Sequence, residues 1–245
     1  MERKVVVVGG VAGGMSFAAR LARLQGNCRI TVLERGADVS FANCGMPYYI
    51  GGVIKNRAVL TVASRAMLEK RFGLDIRTRH LVTEINRPAK QVIGVNLESG
   101  EPFKLPYDQL VLATGAEPVR LPVPGADQPH VLTLNTLEDM DRIAHAAEQA
   151  GAAVIIGGGF IGLELAENLR ERGLDVSIVE LTHQIMPPMD PEMTAPILQA
   201  LKSNGVRVFL GRKAVEIGHN NVLLDDGSRL SAGMVCICAG VRPRS

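Results

Sequence analysis

Two stretches of the chain share one order of hydrophobic and polar positions. Val5-Val6-Val7-Val8 is an unbroken β-branched run, followed at once by Gly9-Gly10-Val11-Ala12-Gly13-Gly14. A helical stretch from about Met15 to Leu24 comes next, then a second apolar strand from Arg29 to Glu34. The order returns at Ala153-Val154-Ile155-Ile156, with Gly157-Gly158-Gly159-Phe160-Ile161-Gly162, a helix to about Arg172 and a strand from Val176 to Glu180. Strands that are apolar throughout, without alternation, predict sheets covered on both faces. Two βαβ units predict an α/β fold made of two doubly wound, Rossmann-like nucleotide-binding domains with a three-layer architecture.

Between these units, residues 64–73 read as a short helix and 75–107 as strands with turns. Leu110-Val111-Leu112-Ala113-Thr114-Gly115 reads as a buried strand ending in a glycine turn. Leu121-Pro122-Val123-Pro124-Gly125 reads as a stiff linker and sets the boundary between a domain at 1–120 and one at 121–245. Leu137 to Gln149 and Pro191 to Ser203 read as helices, the latter with Asp190 as N-cap and Pro191 at its first position. Residues 206–239 read as strands with an Asp225-Asp226-Gly227 turn.

Composition narrows the classes of function. The chain has 245 residues, 47% hydrophobic and 21% charged, with a net charge of +2, too small to point to nucleic acid or an anionic membrane. Trp is absent and aromatics are 4%, so base-stacking platforms are not expected. The apolar run at the N-terminus is too short for a signal peptide, and no stretch reaches the roughly 18 apolar residues of a membrane span. Four cysteines (Cys28, Cys44, Cys236, Cys238) do not make a disulfide framework, and the cytoplasm is the expected compartment. Five scattered histidines form no metal-ligand spacing, Cys236 and Cys238 read as core thiols, and no metal is expected.

The second glycine run is the fuller fingerprint. Gly157, Gly159 and Gly162 stand as G-x-G-x-x-G after a strand and before a helix, where close backbone approach and free N–H groups suit a pyrophosphate. Glu180 ends the next strand, 23 residues after Gly157. A carboxylate there accepts from ribose hydroxyls and repels a 2′-phosphate, which favours NADH over NADPH. In the first run Gly9, Gly13 and Gly14 are present, but Val11 takes the middle-glycine place. Glu34, 25 residues after Gly9, supplies the ribose carboxylate, and its neighbour Arg35 is counted with the cofactor residues. Two fingerprints imply two dinucleotides, one of them a flavin, because hydride from a nicotinamide needs an acceptor.

Downstream of the first fingerprint lies Ser40-Phe41-Ala42-Asn43-Cys44-Gly45-Met46-Pro47-Tyr48-Tyr49. With Gly9–Gly14, Ala113-Thr114-Gly115, Gly157–Glu167 and Ala239-Gly240-Val241-Arg242-Pro243, this stretch resembles the pyridine nucleotide-disulfide oxidoreductase superfamily, and most its single-cysteine branch of coenzyme A-disulfide reductases. The resemblance implies an FAD-dependent, NAD(P)H-linked oxidoreductase that reduces coenzyme A disulfide or a related persulfide or polysulfide, with Cys44 as its redox-active nucleophile. Dithiol members carry C-x-x-x-x-C; Tyr49 stands at the second position, so the partner of Cys44 is a small-molecule thiol or an oxygen atom. Related NADH oxidases and peroxidases, which cycle a cysteine sulfenic acid, place histidine where this chain has Ala12. That departure favours disulfide chemistry over the oxidase alternative.

The same resemblance implies further roles. Ser16, Arg20, Arg23, Ser40 and Asn43 would form the coenzyme A groove, and Ala113-Thr114-Gly115 would close over the flavin. Phe160 and Glu164 match the aromatic gate and the carboxylate of the nicotinamide pocket, with Ile161 beside them at the helix start. In the family the segment after Gly240-Val241-Arg242-Pro243 returns to the flavin domain and leads to a dimerisation domain. The expectation is therefore a C-terminally truncated chain with an incomplete flavin domain, from a homodimeric parent. A third alternative is a nucleotide-binding fragment with no catalysis.

Overall fold

The computed structural model describes residues 2–24 and 26–244. Its helices are α1 (Ala12–Leu24), α2 (Met46–Ile50), α3 (Arg65–Phe72), α4 (Leu137–Gln149), α5 (Phe160–Glu171) and α6 (Pro191–Ser203). The chain forms two compact units: Met1–Ala42 with Ala58–Gly115 and Pro243–Ser245, and Asn43–Arg57 with Ala116–Arg242.

In the first unit, four parallel strands run in the order Asp75–Arg77, Cys28–Leu33, Arg3–Val8, Gln109–Leu112. Val5 and Val7 face a core with Met15, Ala18, Ile30, Val32 and Leu68, beneath α1 and α3. Val6 and Leu33 face the other way, onto Val92 and partly buried Phe103 and Leu105. That second cover is an antiparallel sheet of His80–Asn86, Gln91–Asn96 and Pro102–Pro106. Burial on both faces is why this strand carries no polar alternation, and each fully buried side chain of this kind contributes about 1.5–3 kcal/mol. Helix α1 starts at Ala12, earlier than the apolar pattern marks, because Gly13 and Gly14 lie inside its first turn. Helix α3 is capped by the Ser64 side chain, which accepts from Met67 N, and closes on left-handed Gly73.

The second unit repeats the plan. Its parallel strands run Arg207–Leu210, Asp175–Glu180, Ala152–Ile156, Met234–Ile237, Val131–Leu132. An antiparallel sheet of Ala214–Ile217, Asn221–Leu224 and Arg229–Ser231 packs Ala214, Ile217, Val222, Leu224 and Leu230 onto Val154, Ile156, Val179 and Val235. The stretch read as a stiff linker is packed: Leu121 and Val123 sit against this core, and Ile217 N donates to Pro124 O at 2.9 Å. Helix α4 opens with a capping box between Thr136 and Asp139. Asp190 occupies the N-cap position of α6 but makes no side-chain cap bond; Pro191 offers no N–H, and Met193 N donates to the Asp190 main-chain carbonyl at 3.0 Å.

Candidate dinucleotide and thiol site

The two glycine turns are built alike. Gly9 N donates to Leu33 O and Gly157 N to Val179 O, both at 2.8 Å, so each glycine leaves its strand bonded to the neighbouring one. Gly9 has φ +106° and Gly157 φ +114°. A Cβ at Gly9 would overlap the carbonyl oxygen of Ala113, and one at Gly157 that of Cys238. Inside each helix start, a Cβ at Gly14 would overlap Gly9 O and one at Gly162 would overlap Gly157 O. These glycines let strand, turn and helix approach within van der Waals limits that no side chain permits.

Each turn is braced by its carboxylate. Glu34 accepts from Gly10 N at 2.6 Å and Gly36 N at 2.7 Å. Glu180, only 7% exposed, accepts from Gly158 N at 2.6 Å and from both the N–H and the hydroxyl of Thr182 at 2.8 Å. Both glutamates thus sit beside the glycine turn with their oxygens fixed before any ribose arrives.

The likeness extends beyond the fingerprint. Six residues after each glutamate the backbone turns left-handed at a non-glycine residue, Ser40 (φ 51°) and Met186 (φ 50°). Ser40 N donates to Gly10 O at 3.0 Å and Met186 N to Gly158 O at 2.8 Å. The residue before each is apolar and buried: Val39 Cγ1 would stand 3.0 Å from a Cβ on Gly10, and Ile185 Cγ2 3.2 Å from one on Gly158. No sequence motif marks these exits; the equal spacing from each glutamate is the signal that identifies them.

The residues also fit a nucleotide by what is missing. A Cβ on Gly159 would meet nothing within 4 Å, so this glycine leaves open space at the helix start instead of relieving a clash. Its N–H and those of the first α5 turn are the free donors of that helix end. Val11 stands at the equivalent point of the first turn. Phe160 is 67% exposed and Ile161 39% at the start of α5. Partial burial, with Glu167 three residues on, holds the Glu164 carboxyl above its ordinary range. Arg35 is exposed. Beyond the first sheet, Thr114 Oγ1 donates to Arg244 O at 3.4 Å and Arg244 N to Gly115 O at 3.1 Å, which fixes the Ala113-Thr114-Gly115 turn.

Cys44 is exposed in a single 3-10 turn, Asn43–Gly45, that runs straight into α2 with Pro47 in its first turn. Met46, Pro47 and Ile50 bury the far side of that helix. Gly51 closes it so near α5 that a Cβ there would overlap Oδ1 of Asn168, a buried side chain whose amide donates to Glu164 O at 2.8 Å. Arg57 Nε pairs with Asp141 of α4 at 3.0 Å. The cysteine turn is therefore held by helices of the second unit. The other thiols differ in environment. Burial pushes Cys236 up to about 12 and, with Cys236 beside it, Cys238 well above the ordinary thiol range. At neutral pH Cys236 is ionised in only about one molecule in 10⁵, which leaves it inert as a nucleophile.

Of the residues expected to form a coenzyme A groove, Ser16, Arg20 and Arg23 lie exposed along α1 and Ser40 in the same unit, whereas Asn43 belongs to the second. The Arg23 guanidinium lies 5.7 Å from the centre of the Phe72 ring, and its Nε donates to Ala19 O at 3.1 Å. Among the described residues no group of His, Cys, Asp and Glu is placed to hold a metal, and no helix is long and apolar enough to cross a membrane.

The family model for pyridine nucleotide-disulphide oxidoreductases matches residues 3–245. A coenzyme A disulfide reductase of Staphylococcus haemolyticus is 35% identical over 245 residues, 99% of this chain and 55% of the relative. The structure of reduced Bacillus anthracis CoADR-RHD superposes with a TM-score of 0.96 at 42% identity, over 99% of this chain and 44% of that one. An NAD-dependent persulfide reductase from A. fulgidus superposes with a TM-score of 0.94 at 36% identity, over 98% and 46%. The chain spans about half the length of the curated relatives it matches.

Proposed function

The chain belongs to the pyridine nucleotide-disulphide oxidoreductase family, and on that premise we propose that it is the dinucleotide-binding part of a reductase of coenzyme A disulfide or a related persulfide. The observation that carries this reading is the one exposed turn cysteine, Cys44, in a chain with two braced dinucleotide turns. Residues 1–120 would hold FAD, through Gly9, Gly13, Gly14, Glu34 and the Ala113–Gly115 turn. Residues 121–245 would hold the nicotinamide nucleotide, through Gly157, Gly159, Gly162 and Glu180. Glu180, already fixed by three donors, presents its remaining lone pairs to ribose hydroxyls and disfavours a 2′-phosphate, which supports NADH. When bound, these groups supply hydride and a two-electron carrier.

The protein's own chemistry is thiol exchange. The Cys44 thiolate attacks one sulfur of R–S–S–R, a Cys44–S–S–R bond forms, and R–S⁻ leaves. Two electrons returned to that bond regenerate the Cys44 thiolate and release the second thiol with one proton. Tyr49 stands where a resolving cysteine would be, so the mixed disulfide has no second sulfur in this turn to collapse onto. Ala12 places no imidazole on α1 to serve a peroxide, which supports disulfide over oxygen chemistry. Four free cysteines suit a reducing compartment, the cytoplasm. A homodimeric parent is part of the same proposal and is read by sedimentation.

The test is anaerobic oxidation of NADH in the FAD-loaded protein, with coenzyme A disulfide, a persulfide and oxygen as alternative acceptors. Coenzyme A release that falls by on the order of 10³-fold or more in Cys44→Ser supports the assignment. Turnover kept by Cys44→Ser, or turnover with oxygen alone, overturns it.

A further inference from the structure

Within the first unit, Lys4 and Arg29 are register partners on adjacent parallel strands, and Val6 and Thr31 follow them on the same face. Further along that face Val6 and Leu33 are sealed by the antiparallel sheet. At the strand starts the seal opens into a cavity of about 220 Å³, walled by Lys4, Arg29, Thr31, Arg77, Leu105 and Pro106. Neighbouring strands lie only about 4.8 Å apart, so two like charges set side by side repel unless something between them is negative.

The carboxylate at hand is already engaged by other groups. Asp75 accepts from Arg77 Nε at 3.1 Å and Nη2 at 2.7 Å and from the Thr31 hydroxyl at 3.3 Å. Partial burial raises its pKa, but Arg77, Thr31 and the more remote charge of Arg29 outweigh this and hold the carboxyl below its ordinary range. Asp108 uses one oxygen on the main-chain N–H of Lys4, at 2.7 Å. Among the described residues Arg29 feels the Asp75 charge at a distance, but neither its guanidinium nor the Lys4 ammonium is in ion-pair contact with a carboxylate. A concave site with low-dielectric walls of Val6, Leu105 and Pro106 concentrates the field of those two cations.

We propose that this cavity is an oxyanion site that takes inorganic phosphate or the phosphoryl group of a small molecule, held by Lys4 and Arg29. It is separate from the Gly9 turn: Lys4 lies at the opposite end of its strand from Gly9, about 16 Å away at roughly 3.3 Å per residue. The guanidinium fork of Arg29 suits two phosphate oxygens and the Lys4 ammonium a third.

The test is titration of the chain with inorganic phosphate at constant ionic strength, in saturating FAD and NAD⁺, followed by backbone amide shifts. Saturable shifts at Lys4, Arg29 and Thr31 are expected, with affinity reduced at least tenfold in Lys4→Gln and Arg29→Gln. Both side chains are exposed, so the variants keep the fold, and Arg229→Gln, on the antiparallel sheet of the second unit, serves as the unchanged control. Tighter binding of glycerol phosphate than of phosphate would identify a phosphoryl ester as the ligand, and the reverse a free phosphate. Shifts that do not saturate, that chloride reproduces, that centre on Gly9 or Gly157, or that survive both variants overturn the site.

Discussion

The two glycine turns share their hydrogen bonds but not their tolerances. Both place a left-handed glycine under a carbonyl, a carboxylate on the following N–H, and a left-handed non-glycine exit six residues beyond the carboxylate. They differ at three places. Val11 stands where Gly159 leaves open space, Gly36 gives Glu34 one donor where Thr182 gives Glu180 two, and the strand opposite ends in Ala113 rather than Cys238. The lesson is that the turn itself is set by close backbone approach, whereas the proposed choice of ligand falls to the few positions that differ between the two turns.

That distinction can be broken most sharply at the two glycines of positive φ that open the turns. Gly9→Ala and Gly157→Ala each put a methyl onto a carbonyl at positive φ, and each is expected to cost roughly 3 kcal/mol of stability or more. Denaturant unfolding reads this, and equal losses at both would support a common geometric role. Gly159→Val separates ligand from fold. Its backbone is extended (φ −83°, ψ −173°), so stability should change by less than about 1 kcal/mol. NADH affinity, read by fluorescence titration, should fall on the order of 100-fold, about 2.8 kcal/mol. Val11→Gly, the reverse exchange, should leave FAD affinity within about threefold.

The carboxylates offer the next comparison. Glu180→Gln replaces one of two accepting oxygens with an NH2 donor, which then faces the N–H of Gly158 or of Thr182 at a buried position, and should cost about 2 kcal/mol. Glu34→Gln, half-buried with two donors, should cost about half as much, and thermal unfolding compares them. The smallest effect concerns pH. Burial and Glu167 raise the folded-state pKa of Glu164, so the native state keeps its proton longer than the unfolded chain. Its contribution is complete below the unfolded value of about 4.5 and is lost as pH rises through the folded value. Glu164→Gln should therefore flatten the fall in stability just above that value, and unfolding curves from pH 4 to 7 would detect it.

What could be read in the sequence was local. The glycine turns, their carboxylates and the apolar strands announce themselves because each depends on neighbours in a single βαβ unit. The cysteine turn was legible as chemistry but not as architecture. Its attachment to the second unit depends on Gly51 against Asn168 and on Arg57 with Asp141, contacts between residues about 84 to 117 apart along the chain. Asp190 illustrates the converse: a good capping residue at the right place, whose side chain is not needed once Pro191 removes one donor and the Asp190 carbonyl takes another. The cation pair at Lys4 and Arg29 was invisible because strand register, not sequence spacing, sets it.

The left-handed exits at Ser40 and Met186 give the segments 34–40 and 180–186 the same anchors at both ends. Each has seven residues. Each enters on a glutamate that bonds the turn and leaves on an N–H that returns to it, and the apolar residue before the exit packs on the same glycine. A chimera carrying one segment in place of the other would find its fixings already present at both ends. The two glutamates proposed to choose the nucleotide thus each sit on a seven-residue segment that is anchored to its turn in the same way.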